Sequence, residues 1–198
     1  MIEDRLIASG VKRIAGVDEA GRGSCAGPLV VAAVVLKEIH APVLADVVDS
    51  KKLTASKREA LYSIIIEQSI AYSIISIEPS EIDEIGLHRC NLEGMRRAIS
   101  ALDCELDYVL TDGYSIEGLV LPNLAVWKGD SVTKSIAAAS ILAKVFRDRI
   151  MTELDIRYPG YGFADHKGYV TATHQAAIEK MGVTNIHRKS YANVARAQ

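Results

Sequence analysis

Apolar residues recur along this chain at two periods, and the alternation between them predicts the order of its elements. Apolar runs at residues 13–18 and 28–37 read as strands. The second is rich in Val and nearly continuous, as a strand covered on both faces should be. A third strand fits residues 71–77. Between the second and third, Ser56-Lys57-Arg58-Glu59 has capping-box spacing, and Leu61, Ile64 and Ile65 then follow a helical period. Leu92, Met95, Ile99 and Leu102 recur every three or four residues and predict an amphipathic helix. Short strands follow at residues 108–111, ending at Asp112-Gly113, and at 124–127, ending near Asp130. From Ser131 to about residue 154 an Ala-rich segment predicts the longest helix, with Ile136, Ala139, Ala143 and Ile150 on one face. Hairpin-like connections early and crossovers later predict an α/β unit over residues 1–155 built on a mixed sheet. A Tyr/Pro/Gly loop at 158–162 then leads into a smaller helical tail, residues 156–198, within the same structural unit.

Composition narrows the class. A length of 198 residues with 49% hydrophobic positions is enough for one substantial core. The longest apolar run, near residues 29–36, is far short of the roughly 18 residues of a membrane span. The N-terminal segment carries Glu3 and Asp4 with no long apolar stretch behind them, unlike a secretory signal, so a cytoplasmic protein is expected. Cys25, Cys90 and Cys104 are odd in number and lack metal-ligand spacing, which points to neither a disulfide framework nor a zinc site. The net charge of −2 conceals an asymmetry: residues 134–198 hold 10 Lys/Arg against 5 Asp/Glu, and residues 1–133 hold 13 against 20. An acidic part able to hold cations, followed by a basic part able to hold phosphates, fits a polyanionic substrate.

Candidate chemistry gathers at predicted strand ends. Asp18, Asp112 and Asp130 each lie at or just past the C-terminal end of a strand, where open α/β sheets place their ligands. Three carboxylates there would make an oxygen-rich site for Mg²⁺ or Mn²⁺. Taken singly, Asp112-Gly113 also reads as a turn and Asp130 as a helix cap. Glu19 poses a geometric problem, because neighbouring strand residues point to opposite faces. The strand is therefore expected to turn or end at Glu19, a departure that Gly21 and Gly23 make cheap. Gly21-Arg22-Gly23-Ser24-Cys25-Ala26 also matches a dinucleotide fingerprint, but that motif should open a helix, and here Gly27-Pro28 leads into a Val-rich strand. Lys51, Lys52, Lys128, Lys134, the segment His166-Lys167-Gly168-Tyr169 and His187-Arg188-Lys189 could line a nucleic-acid backbone beside such a site. Tyr169 reads equally as a half-buried core residue.

Together these segments resemble the ribonuclease HII family. The resemblance covers about residues 12–191 and rests on Asp18-Glu19-Ala20-Gly21-Arg22-Gly23, Asp49-Ser50-Lys51-Lys52-Leu53, Asp112-Gly113, Lys128-Gly129-Asp130-Ser131, the Ala-rich helix from Ser135, Tyr158-Pro159-Gly160-Tyr161 and His166-Lys167-Gly168-Tyr169. It implies a ribonuclease H-like fold, a mixed five-stranded sheet flanked by helices, with the C-terminal helical segment closing over the substrate. It implies an endoribonuclease cutting 5′ to ribonucleotides in RNA/DNA hybrids and in duplex DNA containing single ribonucleotides. Asp18, Glu19, Asp112 and Asp130 would hold two divalent ions, Mg²⁺ or Mn²⁺, and Gly21, Arg22 and Gly23 would read the 2′-hydroxyl. Tyr169 would pack on the adjoining deoxyribose, and Lys51, Lys134 and Ser135 would contact phosphates. The alternative is a non-catalytic nucleic-acid-binding module on the same fold. The sequence departs from the family at Asn185, where proline is frequent, and at Tyr191, where phenylalanine is common. No aromatic clamp-binding peptide is seen, so a monomer without an obligate protein partner is expected.

Overall fold

The computed structural model describes residues 1–197; Gln198, the last residue of the expected helical tail, lies outside them. In chain order the elements are α1 (Ile2–Ala8), β1 (Ile14–Ala20), β2 (Leu29–Leu36), α2 (Ala55–Glu67), β3 (Ser69–Ile77), α3 (Pro79–Ile85), α4 (Leu87–Ser100), β4 (Tyr108–Asp112), β5 (Asn123–Val126), α5 (Gly129–Val132), α6 (Lys134–Arg157), α7 (Phe163–His166), α8 (Ala172–Met181) and α9 (Ala192–Ala195). The sheet has the order β3-β2-β1-β4-β5. β1, β2 and β3 run antiparallel to their neighbours, whereas β1, β4 and β5 are parallel. The expected mixed five-stranded sheet is therefore present, with β1 at its centre.

Side-chain alternation along β1 and β2 divides the core between two faces. Ala20, Val30, Ala32 and Val34 pack with Ala138, Ile141 and Leu142 of α6. Ala15, Val17, Val31 and Ala33 pack on the other face with Met95 and Ile99 of α4 and Ile82 of α3. Coverage from both sides explains why every residue of β2 is buried and why its sequence does not alternate. α6 sits unusually close to β1. A Cβ on Gly16 would lie 2.1 Å from the carbonyl carbon of Ser135, so glycine is what lets the helix begin against the strand.

Three local expectations change. The N-cap of α2 is Thr54, whose hydroxyl accepts from the Lys57 amide at 3.2 Å, two residues before the Ser56 capping box. The single long helix expected from Ser131 is two, because Thr133 is extended at φ −130° and ψ 141° and its hydroxyl turns back to donate to the Gly129 carbonyl. α6 also continues to Arg157, so the expected boundary between residues 155 and 156 falls within a helix. The tail beyond it packs Phe163, Ile178 and Ile186 against Met151 of α6 and Ala26.

The start of α6 also accounts for Lys134 and Ser135, which leave the set of phosphate contacts expected for them. Fully buried Glu3 of α1 accepts from the Lys134 amide at 2.8 Å, the Ser135 amide at 2.8 Å and the Ser135 hydroxyl at 2.7 Å. The Lys134 ammonium donates to the carbonyls of Leu44, Ala45 and Val47. Both side chains are thus committed to holding α1 and the 44–47 loop onto the first turn of α6, where a carboxylate also meets the helix dipole favourably. Glu3→Ala would strand two amides and a hydroxyl in the interior. We expect it to destabilise the fold by about 1–3 kcal/mol, read as a lower thermal midpoint; an unchanged midpoint would show that Glu3 does not cap this helix.

Candidate active site

The acidic residues converge where β1 and β4 end. Asp18 projects from the α6 side of β1, Asp112 closes β4, and Asp130 lies in the first turn of α5, just past β5. One carboxylate oxygen from each lies within 4.8 Å of the others, with Asp18 and Asp130 buried. β1 neither turns nor ends at Glu19: it stays paired with β2 through Ala20, and the chain departs at Gly21, with φ 86°. Glu19 therefore faces the α4 side, opposite Asp18, and stands outside the compact triad while lining the same cavities. The expected turn comes two residues late because the ladder to Val31 and Val30 outlasts the parallel pairing to β4, which stops at Val17.

Electrostatics mark this cluster as incomplete. Burial, then the charges of Glu19 and Asp112, push the Asp18 carboxyl well above its ordinary range. Burial and Asp112 raise Glu19 to about 7, against the pull of Arg22. Asp112 is also raised, chiefly by burial, although the Gly129 amide donates to its Oδ1 at 2.7 Å. Lys51 supplies the nearest cation, donating to Asp130 Oδ2 at 3.2 Å; burial opposes its charge, but Asp130, Asp49 and Asp18 together raise its pKa. Glu19 Oε2, Arg22 Nε and both polar ends of the Asn91 amide are buried without a hydrogen-bond partner among the described residues. Clustered anionic oxygens with orphaned neighbours fit a hard divalent cation, which would satisfy the oxygens and cancel the repulsion.

A cavity of about 530 Å³ places this acid cluster beside the 21–23 loop and the rings of Tyr169 and Tyr191. Two buried guanidiniums support its wall: Arg147, which the sequence did not single out, and Arg188, expected only in a basic segment along a nucleic-acid backbone. Arg147 of α6 donates to the carbonyls of Pro28, Lys167 and Ala26, and its stem fills the space a Cβ on Gly21 would need, 1.9 Å from Nε. Arg188 donates to the Gly27 and Arg22 carbonyls. The Tyr191 hydroxyl donates to the same Arg22 carbonyl at 2.8 Å, so the family departure at this position adds a hydrogen bond to the glycine loop. Asn185, the other departure, accepts from the Tyr158 hydroxyl at 2.6 Å.

Tyr169 is half-exposed, with its ring facing Gly23, and is held from behind by a relay of imidazoles. The Thr184 amide donates to His187 Nδ1 at 3.0 Å, which fixes the His187 proton on Nε2. His187 then donates to His174 Nε2 at 3.2 Å, and His174 Nδ1 donates to the Tyr169 carbonyl at 2.9 Å. Burial favours the neutral rings this relay requires: it is the main cause lowering both pKa values, that of His187 to about 4. Sequence reasoning missed the relay: His187 was expected in a basic segment along a nucleic-acid backbone and His174 was not singled out, and only the fold buries the two side by side.

A mixed β3-β2-β1-β4-β5 sheet with carboxylates converging from β1, β4 and the turn after β5 defines a nuclease of the ribonuclease H-like class. A family model described as ribonuclease HII matches residues 15–194. Ribonuclease HII of Salinispora arenicola is 53% identical over 194 residues, covering 98% of this chain and 72% of its own. That of Cutibacterium acnes is 50% identical over 195 residues, covering 98% and 96%. The crystal structure of ribonuclease H2 from Pyrococcus horikoshii superposes with a TM-score of 0.80 at 28% identity, over 93% of this chain and 96% of that one. The chain belongs to the ribonuclease HII family and is a metal-dependent ribonuclease.

The raised carboxyls carry a stability signature. Glu19, ordinarily near 4.5, keeps its proton in the fold to about pH 7, so without divalent ions its contribution favours folding at low pH and is lost as pH rises from 4.5 to 7. Above that window the repulsion is complete. Asp18→Asn should therefore raise the thermal midpoint at pH 8 in EDTA relative to wild type, and shrink the upward shift that added Mn²⁺ gives wild type. A variant less stable than wild type in EDTA would contradict this account.

Proposed function

We propose that the chain hydrolyses the phosphodiester 5′ to a ribonucleotide, in RNA/DNA hybrids and at single ribonucleotides embedded in duplex DNA, leaving 3′-hydroxyl and 5′-phosphate ends. The observation that carries this reading is a clamped loop at residues 21–23, its backbone bared by Gly21 and Gly23, in one cavity with Asp18, Glu19 and Asp112 and faced by the Tyr169 ring. Asp18, Glu19, Asp112 and Asp130 would hold two ions, Mg²⁺ or Mn²⁺, whose chemistry when bound is to activate water and stabilise the leaving 3′-oxygen during in-line displacement.

The residues of the chain do the positioning. The Arg22 carbonyl already accepts from Arg188 and Tyr191, its full capacity, and the Gly21 carbonyl accepts from the Ser24 amide, so the loop's amides, the Gly23 carbonyl and the second lone pair of the Gly21 carbonyl are what remain to meet a 2′-hydroxyl. Arg147 and Arg188 keep that backbone in place and, among the described residues, pair with no carboxylate, which leaves positive charge beneath a wall that phosphates approach. Tyr169 packs on the deoxyribose next to the ribonucleotide and so favours the RNA-to-DNA junction. Lys51, with its side chain 80% exposed, contacts a phosphate once ions relieve it of Asp130. Removal of misincorporated ribonucleotides and RNA primers in the cytoplasm, by a monomer without an obligate protein partner, is the matching role.

A duplex with one embedded ribonucleotide, given Mg²⁺ or Mn²⁺, should be cut on its 5′ side while the all-DNA duplex survives; an intact ribonucleotide duplex would end the proposal. Asp112→Asn should lower turnover by about 100-fold or more while leaving binding largely intact. Tyr169→Ala should weaken cutting at junctions by about 10-fold more than within long hybrids, and equal loss on both would remove the junction role.

A further inference from the structure

The chain has a single tryptophan, and the fold leaves it 81% exposed. Trp127 directly follows β5 and borders a second cavity, of about 330 Å³, which shares Glu19, Arg22, Lys51 and Asp112 with the first. Tyr169 borders only the first cavity, and Trp127 and Lys128 only the second. Aromatic rings thus stand on two flanks of the same acidic cluster.

The turn that presents the indole is rigid and locally costly. Lys128 adopts the left-handed conformation, φ 54° and ψ 45°, which non-glycine residues seldom occupy. The next residue, Gly129, donates its amide to Asp112, and a Cβ there would fall 2.4 Å from Ile136 Cδ1. The corner that fixes Asp112 therefore also sets Trp127 at the cavity rim, where the ring gains little from burial in the protein itself. A flat exposed indole with an ammonium next to it in sequence matches a nucleotide: a base or sugar face on the ring, a phosphate at Lys128. Its cavity is continuous with the carboxylates, which favours the nucleic-acid strand that crosses them over a docked protein.

We propose that Trp127 and Lys128 form a second nucleotide-stacking subsite, gripping the substrate duplex at the cavity that shares the carboxylates with, but lies apart from, the one Tyr169 borders. The subsite rests on the nuclease reading above but is separable from it. Because Trp127 is the sole indole, tryptophan emission reports this position alone. Titrating the wild-type protein in EDTA with a labelled duplex carrying one ribonucleotide should change that emission saturably, in step with the label's anisotropy. Trp127→Ala should raise KM for cleavage about 5- to 10-fold, with kcat within about twofold and the thermal midpoint unchanged, while Trp127→Phe retains most of the affinity. Normal cleavage and anisotropy with unmoved emission and an unchanged KM in Trp127→Ala would overturn the subsite and leave the nuclease reading standing. A loss confined to kcat would overturn it too, by assigning Trp127 to the setting of Asp112. Wild-type protein that neither binds nor cuts the duplex would overturn both.

Discussion

Everything at this site depends on carboxylates forced together where the central strands end. Asp18 is buried on the α6 side of β1, and Asp112 and Asp130 reach it from β4 and α5. Without cations the arrangement works against folding, since burial and mutual repulsion both disfavour the ionised groups. The surrounding fold must therefore hold it in place. Gly16 lets α6 settle on β1, Glu3 caps that helix, and β2 lies buried between β1 and β3, so the strand carrying Asp18 has no freedom to relax away. A divalent cation held there would convert this stored repulsion into affinity and so link the stability of the core to the chemistry at its edge.

The opposite charge is handled differently a few residues away. Arg147 and Arg188 are fully buried and meet carbonyl oxygens of the 21–28 segment and of Lys167. Burial lowers the pKa of both, that of Arg147 to about 10, which still leaves it a cation at neutral pH. Guanidiniums suit the task because their fixed fork of donors satisfies several carbonyls at once. The glycine loop is thereby pinned from α6 and from the C-terminal tail together, and the tail's imidazole relay extends the same support to Tyr169. The tail thus walls the cavity that holds Asp18 and Asp112, through Tyr169 and Tyr191, although it contributes none of the carboxylates.

Much of this was legible from residue pattern. The five strands were readable because each is bounded by turn residues and β2 is apolar throughout. The aspartates were readable because strand ends in such sheets are where ligands lie. Lys134 and Ser135 misled because a basic residue and a serine beside an acidic motif look alike whether they face a phosphate or cap a helix. Only the position of Glu3, more than 130 residues away in sequence, separates the two. The helix break at Thr133 was hidden in the same way: nothing in an Ala-rich run reveals that its first turn is tied to a remote carboxylate.

The order of the strands, the placing of three aspartates at their ends and the family follow from the sequence by itself, because they depend on local periodicity and on motifs whose spacing survives in one dimension. The tertiary structure alone decided which face each of Asp18 and Glu19 occupies, that two buried arginines clamp the glycine loop, and that Trp127 stands at the rim of the acidic cavity. Those facts depend on strand register, helix docking and contacts between distant segments. Their energies come from burial and from paired donors and acceptors, quantities that exist only once the chain has closed on itself.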